Sequence, residues 1–281
     1  MTLARRLVAE GLGSALLLAV VVGSGIMAER LAGGNVAIAL LANTIATGAA
    51  LVALILMFGT ISGAHFNPVV TLSEAWQMNV PAREVLPYLA VQVADAFAGV
   101  AAAHGMFGEA LFFASSHART GASQWWSEFV ATFGLVGVII GCSRSRPALT
   151  PFAVAAYITA AYWFTASTSF ANPAVTLARS ASDTFAGIRP ADAPGFILAQ
   201  LAGGAVATLV FCWLYPASQT PAVANLPQAS TSCPFPTSRI SRNTCWTCPT
   251  WTSSRSMVNC PMRHASCCST VRCGSAPSAA S

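Results

Sequence analysis

The chain has 281 residues, of which 55% are apolar and only 8% charged, about a third of the share usual in soluble domains. Together with a mean hydropathy of +0.62, this excludes an ordinary soluble domain and indicates a membrane protein. The net charge of +5 gives little support to nucleic-acid binding: residues 1–216 carry nine Arg against nine Asp and Glu, and the excess is five Arg beyond them.

Arg5 and Arg6 precede a first apolar run at about residues 7–28. Its flanks resemble a secretory signal, but further long runs follow, so it reads as a retained span. Runs at about 36–60, 84–104, 125–143, 149–166 and 194–215 complete six stretches. Each is long enough to cross about 30 Å of hydrocarbon at about 1.5 Å per residue. Gly and Ala are frequent in all of them, which favours a tight bundle, with Gly99, Gly203 and Gly204 as candidate close crossings. Two further runs, after Asn67 to about Gln77 and after Asn172 to about Ala181, are too short to span. They read as half-helices that enter and stop, which is tolerated only inside protein or beside water.

The sequence also repeats. "AEGLGSALLLAVVVGSG" (9–25) resembles "SEFVATFGLVGVIIGCS" (127–143), with Glu10 matching Glu128, and "HFNPVVTL" (65–72) returns as "FANPAVTL" (170–177). Each repeat, about 5–107 and 123–215, reads helix, helix, half-helix, helix. Three spans is an odd number, so the second copy inserts upside down: an all-α membrane fold of six transmembrane helices and two re-entrant half-helices meeting near the midplane. With the N-terminus inside, Arg5, Arg6, Arg83, Arg144 and Arg146 fall on the inner side, and Arg30, Arg119, Arg179 and Arg189 on the outer side. That bias is small but agrees with the twin Arg of the first span.

Residues 217–281 are rich in Pro, Ser, Thr, Cys and Arg and hold no acid. This composition cannot bury a core, so the tail is expected to be disordered or translated out of frame. Cys245 and Cys248 have Cys-x-x-Cys spacing, but no second well-spaced pair accompanies them, despite His264, Cys267 and Cys268. No metal site and no cofactor is expected.

Asn is a strong helix N-cap and Pro is favoured just after it. Asn67-Pro68-Val69 and Asn172-Pro173-Ala174 therefore read as caps of the two half-helices. The amide oxygen caps, and the NH₂ is left to donate. Entering from opposite faces, the two NH₂ groups and two positive dipole ends would converge on one point. A solute oxygen there accepts from both Asn, cations are repelled, and a water so held cannot pass on a proton.

These motifs resemble the aquaporin (major intrinsic protein) family over about residues 5–215. The resemblance rests on "SGAHFNPVVTL" (62–72), "TSFANPAVTLARS" (168–180), Glu10 and Glu128. Val69 is a mild departure from the family's usual Ala. The resemblance implies a homotetramer with one pore per subunit, and Glu10 and Glu128 as structural carboxylates that accept from the half-helix entry loops. It also implies a selectivity filter of four residues. Counted gap-free from the two Asn, they are Thr47, Ala160 (Tyr157 or Tyr162 if the register slips), Ser169 and Val175. Most members carry Arg at the last position. Val175 makes the ring wider and less polar and leaves cation exclusion to the dipoles. Arg179, about 6 Å further along the half-helix, is expected at subunit or loop contacts. An Arg-less filter resembles a bacterial branch associated with arsenic resistance, which implies glycerol-like polyols and neutral metalloid hydroxides such as arsenite as cargo.

His65 is expected to pack within the entry loop, and His104 and His117 near the loop after the third span. Asp95, mid-span, is either a helix–helix hydrogen-bond partner or faces the tetramer axis. No nucleophile–base pair is visible, so an enzyme is not expected. The reading is a passive multi-pass channel in a bacterial inner membrane, with small neutral solutes and the lipid bilayer as partners and no nucleic acid. Alternatives are a water- or glycerol-specific facilitator, a secondary transporter, or a membrane protein that works through its tail.

Overall fold

A computed structural model of the chain describes residues 1–216; the expectations for the tail, including Cys245 and Cys248, lie outside the described residues. Eight α-helices follow in order: α1 Leu3–Leu31, α2 Val36–Ser62, α3 Pro68–Trp76, α4 Ala82–Phe107, α5 Ala122–Ser145, α6 Thr150–Phe164, α7 Pro173–Arg179 and α8 Ala193–Leu214. The expected order of long and half-helices is therefore present in both repeats.

Local chemistry sets the ends. Asn35 caps α2 by accepting from the N–H groups of Ala37 and Ile38. Gly63 ends the same helix with φ +94°, a left-handed conformation that Gly adopts without penalty. The expected fifth span is shorter than read: among the described residues five helices are long and apolar enough to cross, while α6 has only 15 residues. A single 3-10 turn, Pro147–Leu149, precedes it, and Pro151 sits in its first turn. A proline with no N–H and fixed φ belongs at a helix start, so α6 cannot extend back through this pair.

Packing follows the repeat. α1 lies against α4 and α5 against α8, while each half-helix lies against both α4 and α8. The first two contacts are close because of glycine. A Cβ at Gly99 would overlap the carbonyl oxygen of Ala15, and one at Gly203 that of Phe129. Gly204 leaves room for Val69, whose Cγ1 occupies the space a Cβ would need. The residue after the first Asn-Pro is thus larger than Ala because its neighbour on α8 is small. Without a water-driven force between helices in lipid, such close backbone approach carries much of the association.

Candidate functional site

The two half-helices are built alike at their tips. Asn67 caps α3, its Oδ1 accepting from Val69 N at 3.0 Å. Asn172 caps α7, accepting from Ala174 N at 3.0 Å and Val175 N at 3.3 Å. Pro68 and Pro173 stand next in line, where their missing N–H costs nothing, and all four motif neighbours, Pro68, Val69, Pro173 and Ala174, are buried. Thr71 and Thr176 then bond back to the Asn67 and Asn172 carbonyls.

The entry loops are strained in the same places. Ala64 and Phe66 have φ +51° and +49°, and Ser169 and Ala171 both +48°, three and one residues before each Asn. Left-handed backbone at non-Gly residues costs free energy and persists only where the surroundings impose it. Here buried carboxyls impose it. Glu128 Oε1 and Oε2 accept from Phe170 N and Ala171 N, both at 2.8 Å, and Glu10 Oε1 accepts from Phe66 N. Ser62 and Ser167 hydroxyls accept from Ala64 N and Ser169 N. Glu10 and Glu128 are fully buried.

The amides are not both free to donate. Asn67 Nδ2 donates to Ala171 O, and Asn172 Nδ2 donates to Phe66 O, both at 2.7 Å. Each half-helix tip is thus tied crosswise to the loop of the other. Each NH₂ keeps one hydrogen, and the cross-bond fixes its direction. The expectation of two wholly free NH₂ groups is corrected to one free N–H apiece.

A cavity of about 270 Å³ runs past these tips. It is lined by the loop residues Gly63–Asn67, Ser169, Phe170 and Asn172 and by apolar helix residues that include Leu51, Ile55, Val154 and Ile158. Thr47, Ser169 and Val175 all face it. Ala160 does not: it is exposed on the outer side of α6, and Tyr162 stands on the cavity instead, its hydroxyl 3.4 Å from Thr47 Oγ1. Two residues turn a helix by about 200°, which carries a side chain to the other face. Arg179 also departs from expectation, since it lines the cavity.

Two glutamines escaped the sequence reading. Gln92 Nε2 bridges Glu10 Oε1 (2.8 Å) and Thr71 Oγ1 (2.9 Å); Gln200 Nε2 bridges Glu128 Oε2 (2.7 Å) and Thr176 Oγ1 (2.9 Å). The available signal was a Gln amid apolar residues in the last helix of each repeat. Asp95 is half-buried against Gly11, where an added Cβ would overlap its carboxyl. His65 Nδ1 lies 3.1 Å from Thr71 Oγ1, within the entry region as expected. His104 is fully buried, its Nδ1 donating to Leu111 O and its Nε2 standing 2.8 Å from Ser182 Oγ.

Two capped half-helices, cross-bonded at their tips beside a cavity in a helical bundle, define an integral membrane protein of the aquaporin-like channel class. The chain belongs to the major intrinsic protein family, whose model matches residues 1–161. It is 54% identical over 212 residues to Aquaglyceroporin AqpS of Rhizobium meliloti, covering 75% of this chain and 91% of the relative. Aquaporin AqpM of Methanothermobacter marburgensis is 30% identical over 248 residues, covering 76% of this chain and 98% of the relative. The X-ray structure of the aquaglyceroporin from Plasmodium falciparum superposes with a TM-score of 0.52 at 21% identity, covering 76% of this chain and 96% of that one, a likeness of fold. Identity to the R. meliloti relative is consistent with a bacterial membrane.

Proposed function

We propose that the chain is a passive pore for small uncharged solutes: glycerol-like polyols, neutral metalloid hydroxides such as arsenite, and water. The observation that carries this reading is a cavity lined both by the two entry loops with their Asn amides and by apolar side chains of the long helices. A peptide N–H and the preceding C=O point in opposite directions. With Phe66, Phe170 and Ala171 N–H groups turned to the buried carboxyls, the carbonyls of His65, Ser169 and Phe170 turn away from them, toward the pore wall. A polyol sliding past exchanges hydroxyl bonds along this wall while its carbons rest on Leu51, Ile55 and Ile158.

At the tips, a solute oxygen takes one N–H from each Asn. A water held so directs its own hydrogens along the pore and does not accept a proton from its neighbour. Val175 at the position usually held by Arg widens the outer ring and favours polyols over water alone. Tyr162 completes that ring from α6 and gives it an apolar flat face. As in the family, a homotetramer with one pore per subunit is the expected assembly.

The test is a solute panel in proteoliposomes, comparing wild type with Val175→Arg. Glycerol and arsenite permeability should fall by more than water permeability. Equal loss of all three would remove Val175 from the filter.

A further inference from the structure

Val175 brings no charge to the outer end of the cavity, but a guanidinium is close by. Arg179 follows Val175 by four residues, so the two share one face of α7, and helical side chains lean toward the N-terminus of their helix. The Arg179 side chain thus leans back along the Val175 face of α7, held between the Phe170 ring and the loop carbonyl of Ala186. It is 2% exposed and lines the same cavity as Thr47, Tyr162, Ser169 and Val175. Its guanidinium carbon lies 3.4 Å from the centre of the Phe170 ring, and its Nε donates to Ala186 O. Among the described residues, neither terminal NH₂ group has a protein acceptor and no carboxylate pairs with this Arg. Ser169 Oγ, also buried on the cavity, lacks a partner too.

A buried cation without a counter-charge is costly, and the aromatic face offsets only part of that cost. Donors left unpaired on a cavity wall gain their partners from whatever occupies it.

We propose that Arg179 supplies the filter charge of this pore in place of position 175. It repels cations and donates, with Ser169, to the hydroxyls of a neutral polyhydroxylated solute, while Val175 and Tyr162 take the solute's apolar side. Arg119, from the loop between α4 and α5, is a positioning residue. It stands over the same Phe170 ring at 5.1 Å and donates to Gly187 O at 2.8 Å and Ser167 O at 3.3 Å. It so braces both the ring and the segment that holds Arg179 Nε. The proposal rests on the channel reading and relocates its charge.

The test measures proton leak, water permeability and glycerol permeability on the full chain in proteoliposomes. Arg179→Gln should raise the ratio of proton leak to water permeability by about tenfold or more. A unit charge within ~5 Å of a passing cation, at an effective dielectric near 20, alters its population by at least that much. Arg179→Lys should hold the wild-type ratio. A Gln variant that conducts glycerol with an unchanged leak overturns the proposal, as does a parallel fall of all three fluxes in both variants. Arg179→Met, which keeps an unbranched stem without the charge, takes the place of the Gln variant if that does not assemble, and the same rise in the leak-to-water ratio is expected of it. A Met variant that conducts glycerol with an unchanged ratio overturns the proposal. Absence of glycerol and water flux in wild type would instead sink the channel reading itself.

Discussion

Glu10 and Glu128 occupy matching places in the two repeats, but the same conservative change should affect them differently. Both oxygens of Glu128 are engaged: Oε1 takes Phe170 N, and Oε2 takes Ala171 N and Gln200 Nε2. A Gln at 128 must turn its NH₂ toward one of these donors. At best it sacrifices the Phe170 bond, strands that N–H and loses the charge assistance of the others, at about 3 kcal/mol. At Glu10 one oxygen, Oε1, accepts from both Phe66 N and Gln92, and Oε2 has no partner. A Gln there can keep its carbonyl on the two donors and put its NH₂ in the unpartnered place, at about 1 kcal/mol. For a chain of this size each kcal/mol moves the midpoint by ~2–4 °C, so Glu128→Gln should melt about 4–8 °C below Glu10→Gln in detergent. Stopped-flow glycerol permeability should fall further in the 128 variant, because it strands a loop N–H at Phe170 beside the cavity while Glu10→Gln keeps both of its donors. Equal melting points, or a larger loss at Glu10, would refute the claim that these carboxyls act by counting loop donors.

The remaining predictions concern packing and pH. Gly203→Ala should destabilise by about 1–3 kcal/mol, since its Cβ meets backbone rather than a yielding side chain, while Gly59→Ala meets nothing and should be neutral to stabilising; thermal unfolding of the pair checks this, and equal effects would reject close α5–α8 contact as its cause. Asp183 accepts from the Ser116 backbone N–H at 2.7 Å and from the Ser116 hydroxyl, which hold its pKa below the usual carboxylate range. A folded pKa lower than the unfolded one stabilises above the ordinary Asp value and is lost as pH falls through the folded one. Amide protection factors around residues 113–117 should therefore fall on acidification below about pH 4, and Asp183→Asn should flatten that dependence. An unchanged profile in the Asn variant would dismiss this tie.

The bundle was legible because its signals are local. Run length separated long helices from half-helices, and Asn-Pro marked both caps within the residues that form them. The short α6 was overestimated because its flanking residues are apolar too, so hydropathy ran past the two prolines that set its start. Gap-free counting points to Ala160 instead of Tyr162, because it fixes helix rotation only if the intervening loop keeps its length. Two residues of uncertainty in residues 165–171 are enough to exchange the inner and outer faces of α6. Backbone rise alone puts Arg179 about 6 Å beyond the ring, but the lean and reach of its side chain bring it to the cavity. The crossed amide bonds depend on two loops about a hundred residues apart meeting face to face, which no local pattern encodes. Gln92 and Gln200 were present as polar residues in apolar helices, but their meaning required Glu10 and Glu128 beside them.

The most direct measurement is the reswelling of proteoliposomes after a step into hyperosmotic glycerol, recorded with and without ionophores that collapse proton and cation gradients. A passive pore gives faster reswelling than protein-free vesicles, at a rate the ionophores leave unchanged. Glycerol entry that disappears when the gradients are collapsed would contradict the channel account and point to coupled transport.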